Sequence, residues 1–143
     1  MGGTCMNKLT KLLAVAALAA SAGAHAQTAN VSTTELTVTG FNFTTGAQAA
    51  SETNYFRNDG KTAAVIHNRQ GAPVTATIVN QVGTVNVPGF GPLSLSDQTV
   101  TIPSASVVLI GPFALNRFNS GGLTRINLTS STLVSITTLK VAK

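Results

Sequence analysis

The chain has 143 residues with nine Lys and Arg, four Asp and Glu and a single cysteine, which fits one domain with one core and excludes a disulfide scaffold. Charged residues make up only 9% of it, and the formal net charge is +5. The bases are dispersed, which excludes the basic stripe with stacking aromatics of a nucleic-acid-binding surface.

Taken from the N-terminus, the first readable element is residues 6–27, "MNKLTKLLAVAALAASAGAHAQ". Lys8 and Lys11 give a basic start, Leu12 to Ala24 is apolar and small, and Ala24-His25-Ala26 is a small-x-small cleavage pattern. That order predicts a helical Sec-type signal peptide over residues 1–26, with Met6 the natural start and cleavage after Ala26. The apolar run is shorter than the roughly 20 residues that span a bilayer, so no stable membrane insertion is expected after cleavage. The expected location is secreted or cell-surface. Cleavage would remove Cys5, and the remaining chain has no Cys, Met or Trp. Nine bases less the two leader lysines, against four acids, leave +3.

Residues 27–50 read as an N-terminal strand followed by a flexible loop, and 51–143 as the body. Leu36 and Val38 fall on even positions and Phe41 and Phe43 on odd ones, with Gly40 between. Such a change of phase predicts a β-bulge near Gly40. "TTGAQAASETN", residues 44–54, is small and polar and reads as loop. In the body, Val74, Ala76 and Ile78 alternate with Thr75 and Thr77; Val100 and Ile102 alternate with Thr99 and Thr101; Ile126 and Leu128 alternate with Arg125, Asn127 and Thr129. This is the period of half-buried strands. Val107–Ile110 is continuously apolar, which predicts a central strand covered on both faces. Val134 and Ile136 give way to Leu139 and Val141, predicting a second bulge near Thr137. Asn58-Asp59-Gly60, Gln70–Pro73, Pro88–Pro92, Gly111-Pro112 and Ser120-Gly121-Gly122 carry turn chemistry. The fold class that follows is all-β: a single antiparallel β-sandwich, jelly-roll or Ig-like, of seven or eight strands.

Catalytic material is thin, and no enzyme is expected. After the leader His67 is the one histidine, and a lone strand-end histidine is more often a surface residue than a general base. There is no Gly-x-Ser-x-Gly elbow, phosphate loop or metal-ligand spacing. Asn58-Asp59-Gly60 could offer oxygens to calcium, but one carboxylate is far from the six to eight ligands required, so no metal or cofactor is expected. The sequons at Asn30, Asn42 and Asn127 matter only in a host that glycosylates them.

Contact residues are the remaining candidates: Leu36, Val38, Phe41 and Phe43 on the N-terminal arm, and Phe90 between two glycines. The Phe90 ring is either a hydrophobic plug or an exposed contact, with the plug favoured. Phe113 and Phe118 read as closing one end of the body. The arm could add to the open sheet edge of a neighbouring copy, although pairing within its own sheet is favoured because sequential strands are usually adjacent.

"YFRNDGKTAAVIHN", "VTATIV", "LSLSDQTVTIPSASVVLIGPF" and "NRFNSGGLTRINLTSSTLVSITTLKV", in that order, resemble the small β-sandwich structural proteins of tailed-phage heads. The likeness lies in the Asn-Asp-Gly-Lys-Thr turn, the apolar strand ending in Asn, the Ile-Gly-Pro-Phe step and the closing strand. "STTELTVTGFNFTTG" resembles their opening strand, so Ser32 to Val141 is covered. The resemblance implies a non-enzymatic protein that decorates a capsid lattice through protein contacts. The leader points instead to an exported, self-assembling subunit of a filament or surface layer. Partners are accordingly copies of the chain itself or a capsid lattice; the alternatives are a virion location, or a secreted carbohydrate- or protein-binding module. One Tyr, six Phe and no Trp count against an aromatic sugar platform.

Overall fold

The computed structural model describes residues 28–36, 42–43 and 47–141. The leader, Val38, Phe41 and the bulge expected near Gly40 lie outside these residues. Among the described residues the fold is all-β apart from one helical turn, α1 (Leu115–Phe118), and Phe43, which is helical.

One sheet runs β1 (Thr28–Val31), β4 (Thr53–Arg57), β12 (Leu123–Leu128), β6 (Val74–Ile78), β9 (Gln98–Ile102), with β11 (Asn119–Ser120) on β12. A second runs β10 (Ser106–Ile110), β5 (Thr62–Asn68), β13 (Val134–Val141), β2 (Thr33–Leu36), with β3 (Gln48–Ala49) on β13. The hairpin β7 (Thr84–Val87) and β8 (Gly91–Ser94) forms a small sheet of its own. Two pairings, β1 with β4 and β2 with β13, are parallel. Seven or eight antiparallel strands thus undercounts the strands and misses their mixed pairing. The parallel pairings come from the short N-terminal strands β1 and β2, and the additional strands are the short pieces β1, β2, β3, β7, β8 and β11.

Alternation builds the core. On β5, Thr62, Ala64, Ile66 and Asn68 are buried, with Ala63, Val65 and His67 half-buried between them. On β6, Val74, Ala76 and Ile78 point in while Thr75 and Thr77 point out. Ile66 and Ile136 of one sheet join Phe56, Ile78, Ile102 and Ile126 of the other in a single hydrophobic cluster. Burying each such side chain contributes about 1.5–3 kcal/mol. Phe113 packs on Phe56 with ring centroids 5.3 Å apart, and on Phe118 at 6.4 Å, so both phenylalanines flanking α1 are core residues.

Two strand expectations are corrected. No bulge interrupts β13, whose register with β5 runs unbroken from Val134↔Asn68 to Lys140↔Thr62. The phase change arises because Val134 to Thr138 are all buried, in a strand flanked by β5 on one edge and by β3 and β2 on the other, so apolarity no longer reports which way a side chain points. Thr138 faces inward and donates its hydroxyl hydrogen bond to Ser32 O at 3.2 Å. The run Val107–Ile110, expected to be central, forms an edge strand, with Val107 55% and Leu109 66% exposed. Part of the expected 44–54 loop is also regular, since Ala49 pairs with Ser135 and Thr53 opens β4.

Candidate interaction surfaces

Buried asparagines fix the turns from which the surfaces project. The Asn68 Nδ2 donates to Ala72 O at 2.8 Å, Pro103 O at 3.0 Å and Ile102 O at 3.3 Å, while its Oδ1 accepts from Gln70 N–H. One side chain therefore ties the β5–β6 turn to the β9–β10 connection. Asn58 does the same at the other end of β5. Its Nδ2 lies 2.9 Å from Asn119 Oδ1 and 3.1 Å from both Phe113 O and Thr124 Oγ1. Its Oδ1 accepts from Gly60 N–H at 2.9 Å, closing an Asx-turn. The two asparagines that flank "DGKTAAVIH" are thus structural pins.

Asp59 is exposed, and its Oδ1 accepts from Lys61 N–H at 3.0 Å and from the Thr62 hydroxyl at 3.2 Å. The Lys61 amide is the main reason its carboxyl is held below the ordinary range, with Thr62 and the Lys140 charge adding to it against slight desolvation. Its role is to hold the turn, and a carboxylate kept ionised this way is a poor proton carrier near neutrality. Lys140 pairs with Glu35 at 2.8 Å, linking β13 to β2, and that bond raises its pKa. Among the described residues no three His, Cys, Asp or Glu side chains converge as a metal-binding group.

Two depressions stand out among the described residues. A cleft of about 700 Å³, of mixed polar and apolar character, is lined by residues including Asn30, Tyr55, Arg57, Asp59, Leu123 and Lys140. Its acid and its lysine are engaged as just described, so it presents a mixed surface with no converging catalytic pair. A second groove, of about 650 Å³, lies on the outer face of the β10–β5–β13–β2 sheet, lined by Leu36, Phe43, Val65, His67, Val107 and Leu139 among others. The His67 ring meets the edge of Phe43 at 5.6 Å. Leu36 and Phe43, expected as contact residues, are therefore brought together here, half-buried by their own chain. Phe43 is helical, with Ala47 N–H donating to its carbonyl at 3.2 Å, so the strand expected at this residue is not formed. The arm strand β2 occupies its own sheet, in the parallel register Thr33↔Thr138 to Leu36↔Val141.

The outstanding exposed residue is Phe90. It is 90% exposed, which corrects the favoured plug reading. Val87, Pro88, Gly89 and Phe90 make a turn closed by Phe90 N–H to Val87 O at 3.0 Å, with Gly89 at φ +82°. Pro at the second position and a positive-φ glycine at the third are the requirements of a type II turn. The turn caps β7–β8, a two-stranded sheet separate from the core, so nothing lies behind the ring for it to plug. Val85, 40% exposed, and Leu93, 55% exposed, are paired on the same hairpin. Sequence reasoning missed Val107 and Leu109 as surface residues. No signal in the sequence separated the two cases, since Gln98 to Asn116 carries no charge, which is also what a strand covered on both faces would show.

Among the described residues no helix is long and apolar enough to cross a membrane. Comparison of the whole chain with protein-family models, with curated proteins and with solved structures finds no match.

Proposed function

We propose that this protein is a non-enzymatic structural subunit, an exported β-sandwich that assembles through protein contacts with copies of itself. The observation that carries this is Phe90, held 90% exposed at the end of a hairpin that contributes nothing to the core. A rigid, exposed aromatic flanked by apolar side chains is the composition of a contact centre. The titratable groups support the same reading, because Asp59, Glu35 and Lys140 serve turns and strand pairing. A capsid-decorating role uses the same surface with a different partner, and the likeness to phage-head proteins supports it in the second place.

The test is mass measurement of the purified protein with negative-stain microscopy, comparing wild type with Phe90→Ser. Wild type should form particles larger than a monomer, and Phe90→Ser should shift them to smaller mass while the melting temperature moves by less than about 2 °C, as expected for an exposed site. A wild-type protein that stays monomeric at every concentration and binds no capsid would falsify the proposal.

A further inference from the structure

The free edge of β10 is built without any device that would keep another strand away. Sheet edges in soluble proteins are normally blunted by a charge, a proline, a bulge or a cover, because unpaired N–H and C=O groups template pairing with another chain. Strand β10 is Ser-Val-Val-Leu-Ile. Its register with β5 runs from Ser106↔Asn68 to Ile110↔Ala64 without an inserted residue. Pro103 and Pro112 lie outside it, and among the described residues nothing pairs with its other side. Its outward side chains, Val107 and Leu109, are more than half exposed and continuous with the groove containing Val65, His67 and Leu139.

Charge selects the occupant. The chain carries an excess of positive charge, so two copies repel unless they meet through an uncharged surface. The stretch Gln98–Asn116 contains both β9 and β10, the outermost strands of the two sheets, and no ionisable side chain. Along these edge strands a second copy approaches without like-charge contact, and Arg69 of the adjoining groove is held back by its hydrogen bond to Ser135 Oγ at 3.1 Å. A partner of opposite charge gains nothing there.

We infer that β10 is a homotypic docking edge, pairing antiparallel with β10 of a second copy about a two-fold axis at Val108. This rests on the assembly reading above and names a second contact for it. In that register Val107 of each copy lies opposite Leu109 of the other, so four exposed apolar side chains cover one another. The sheet then runs without a break from β2 of one copy to β2 of the next. The contact is isologous and closes at two subunits, whereas the hairpin contact involves a different surface. Five residues a side place it at the small end of specific interfaces, so the dimer depends on concentration.

Sedimentation velocity on the full chain from about 1 µM to about 1 mM, spanning weak to moderate affinities, reads it out. Wild type and Phe90→Ser should both form dimers, which separates this contact from the hairpin. Leu109→Lys should raise the dissociation constant about 100-fold, since each lysine is then set against Val107 of the other copy and the two like charges lie diagonally across the axis. Val107→Glu alone should also weaken the dimer. The double variant Val107→Glu/Leu109→Lys should restore it, because each lysine then faces a glutamate of the other copy. Both positions are exposed, and unchanged melting temperatures of the monomers show that folding is intact. A Phe90→Ser protein that stays monomeric throughout, Leu109→Lys dimerising like wild type, or no restoration in the double variant would each overturn the inference. None of these three results would touch a Phe90-dependent assembly of the wild type.

Discussion

At the scale of single residues, the decisive positions are polar ones that hold carbonyls. Replacing Asn68 with Ala strips the partner from the carbonyls of Ala72, Ile102 and Pro103 and from Gln70 N–H. Buried groups left unsatisfied cost about 1–3 kcal/mol each, so a loss of about 3 kcal/mol or more is expected. Denaturant titration should show it, together with a fall in melting temperature of about 10 °C or more. Asn68→Asp should do no better, because its oxygens repel the three carbonyls. Gly111 is decisive for a different reason, its backbone conformation. It sits at φ +127°, and a Cβ there would lie 3.0 Å from Ala63 Cα. Gly111→Ala should destabilise by about 1–3 kcal/mol through the backbone conformation alone, with more from the close approach. Asp59 supplies a pH signature. Its folded-state pKa lies below the ordinary 3.8, so its stabilising effect is present above that value and lost as pH falls through the lower, folded one. Asp59→Asn should flatten the acid limb of the melting-temperature profile and leave the neutral region unchanged in slope. Lys140 is the mirror case: raised by Glu35, its contribution is complete below the ordinary 10.5 and lost as pH rises through the folded value.

At the scale of elements, periodicity was a good guide wherever a strand had one covered face. Val74–Ile78, Gln98–Ile102 and Leu123–Leu128 were legible for that reason, as were the turns at Gly60, Gly89 and Gly121-Gly122, each with positive φ. Legibility failed where both faces were covered or where apolarity had another purpose. In β13 the Thr138 hydroxyl donates to Ser32 O and the Ser135 hydroxyl accepts from Arg69, both distant in sequence, so a polar sequence fills an interior strand. In β10 the reverse holds: continuous apolarity marks an exposed edge. The hairpin β7–β8 was missed as a unit because Val87 and Leu93 look like core residues until the sheet behind them is seen to be absent. For Phe90 the glycines on both sides of a proline-bounded loop made the turn legible but not the ring, because a plug and an exposed contact have the same sequence context until the sheet that carries the turn is placed. Leu36 and Phe43 could not be separated from core residues by pattern, because the groove that joins them is made from β2, β5 and β13, which are distant in sequence.

At the scale of the whole molecule, two sheets share one core while apolar surface is left on the β10 edge and on the β7–β8 tip. In the assembly proposed above these would be two different contacts. On that proposal the β10 edge closes in pairs, and a hairpin contact with a different surface would join the pairs further. The most direct test is the mass distribution of the wild-type protein as its concentration rises. The proposal requires species beyond the dimer, with Phe90→Ser stopping at the dimer and Leu109→Lys removing the dimer step. A distribution that ends at monomer or dimer for the wild type, with no mass beyond it, contradicts the assembly account.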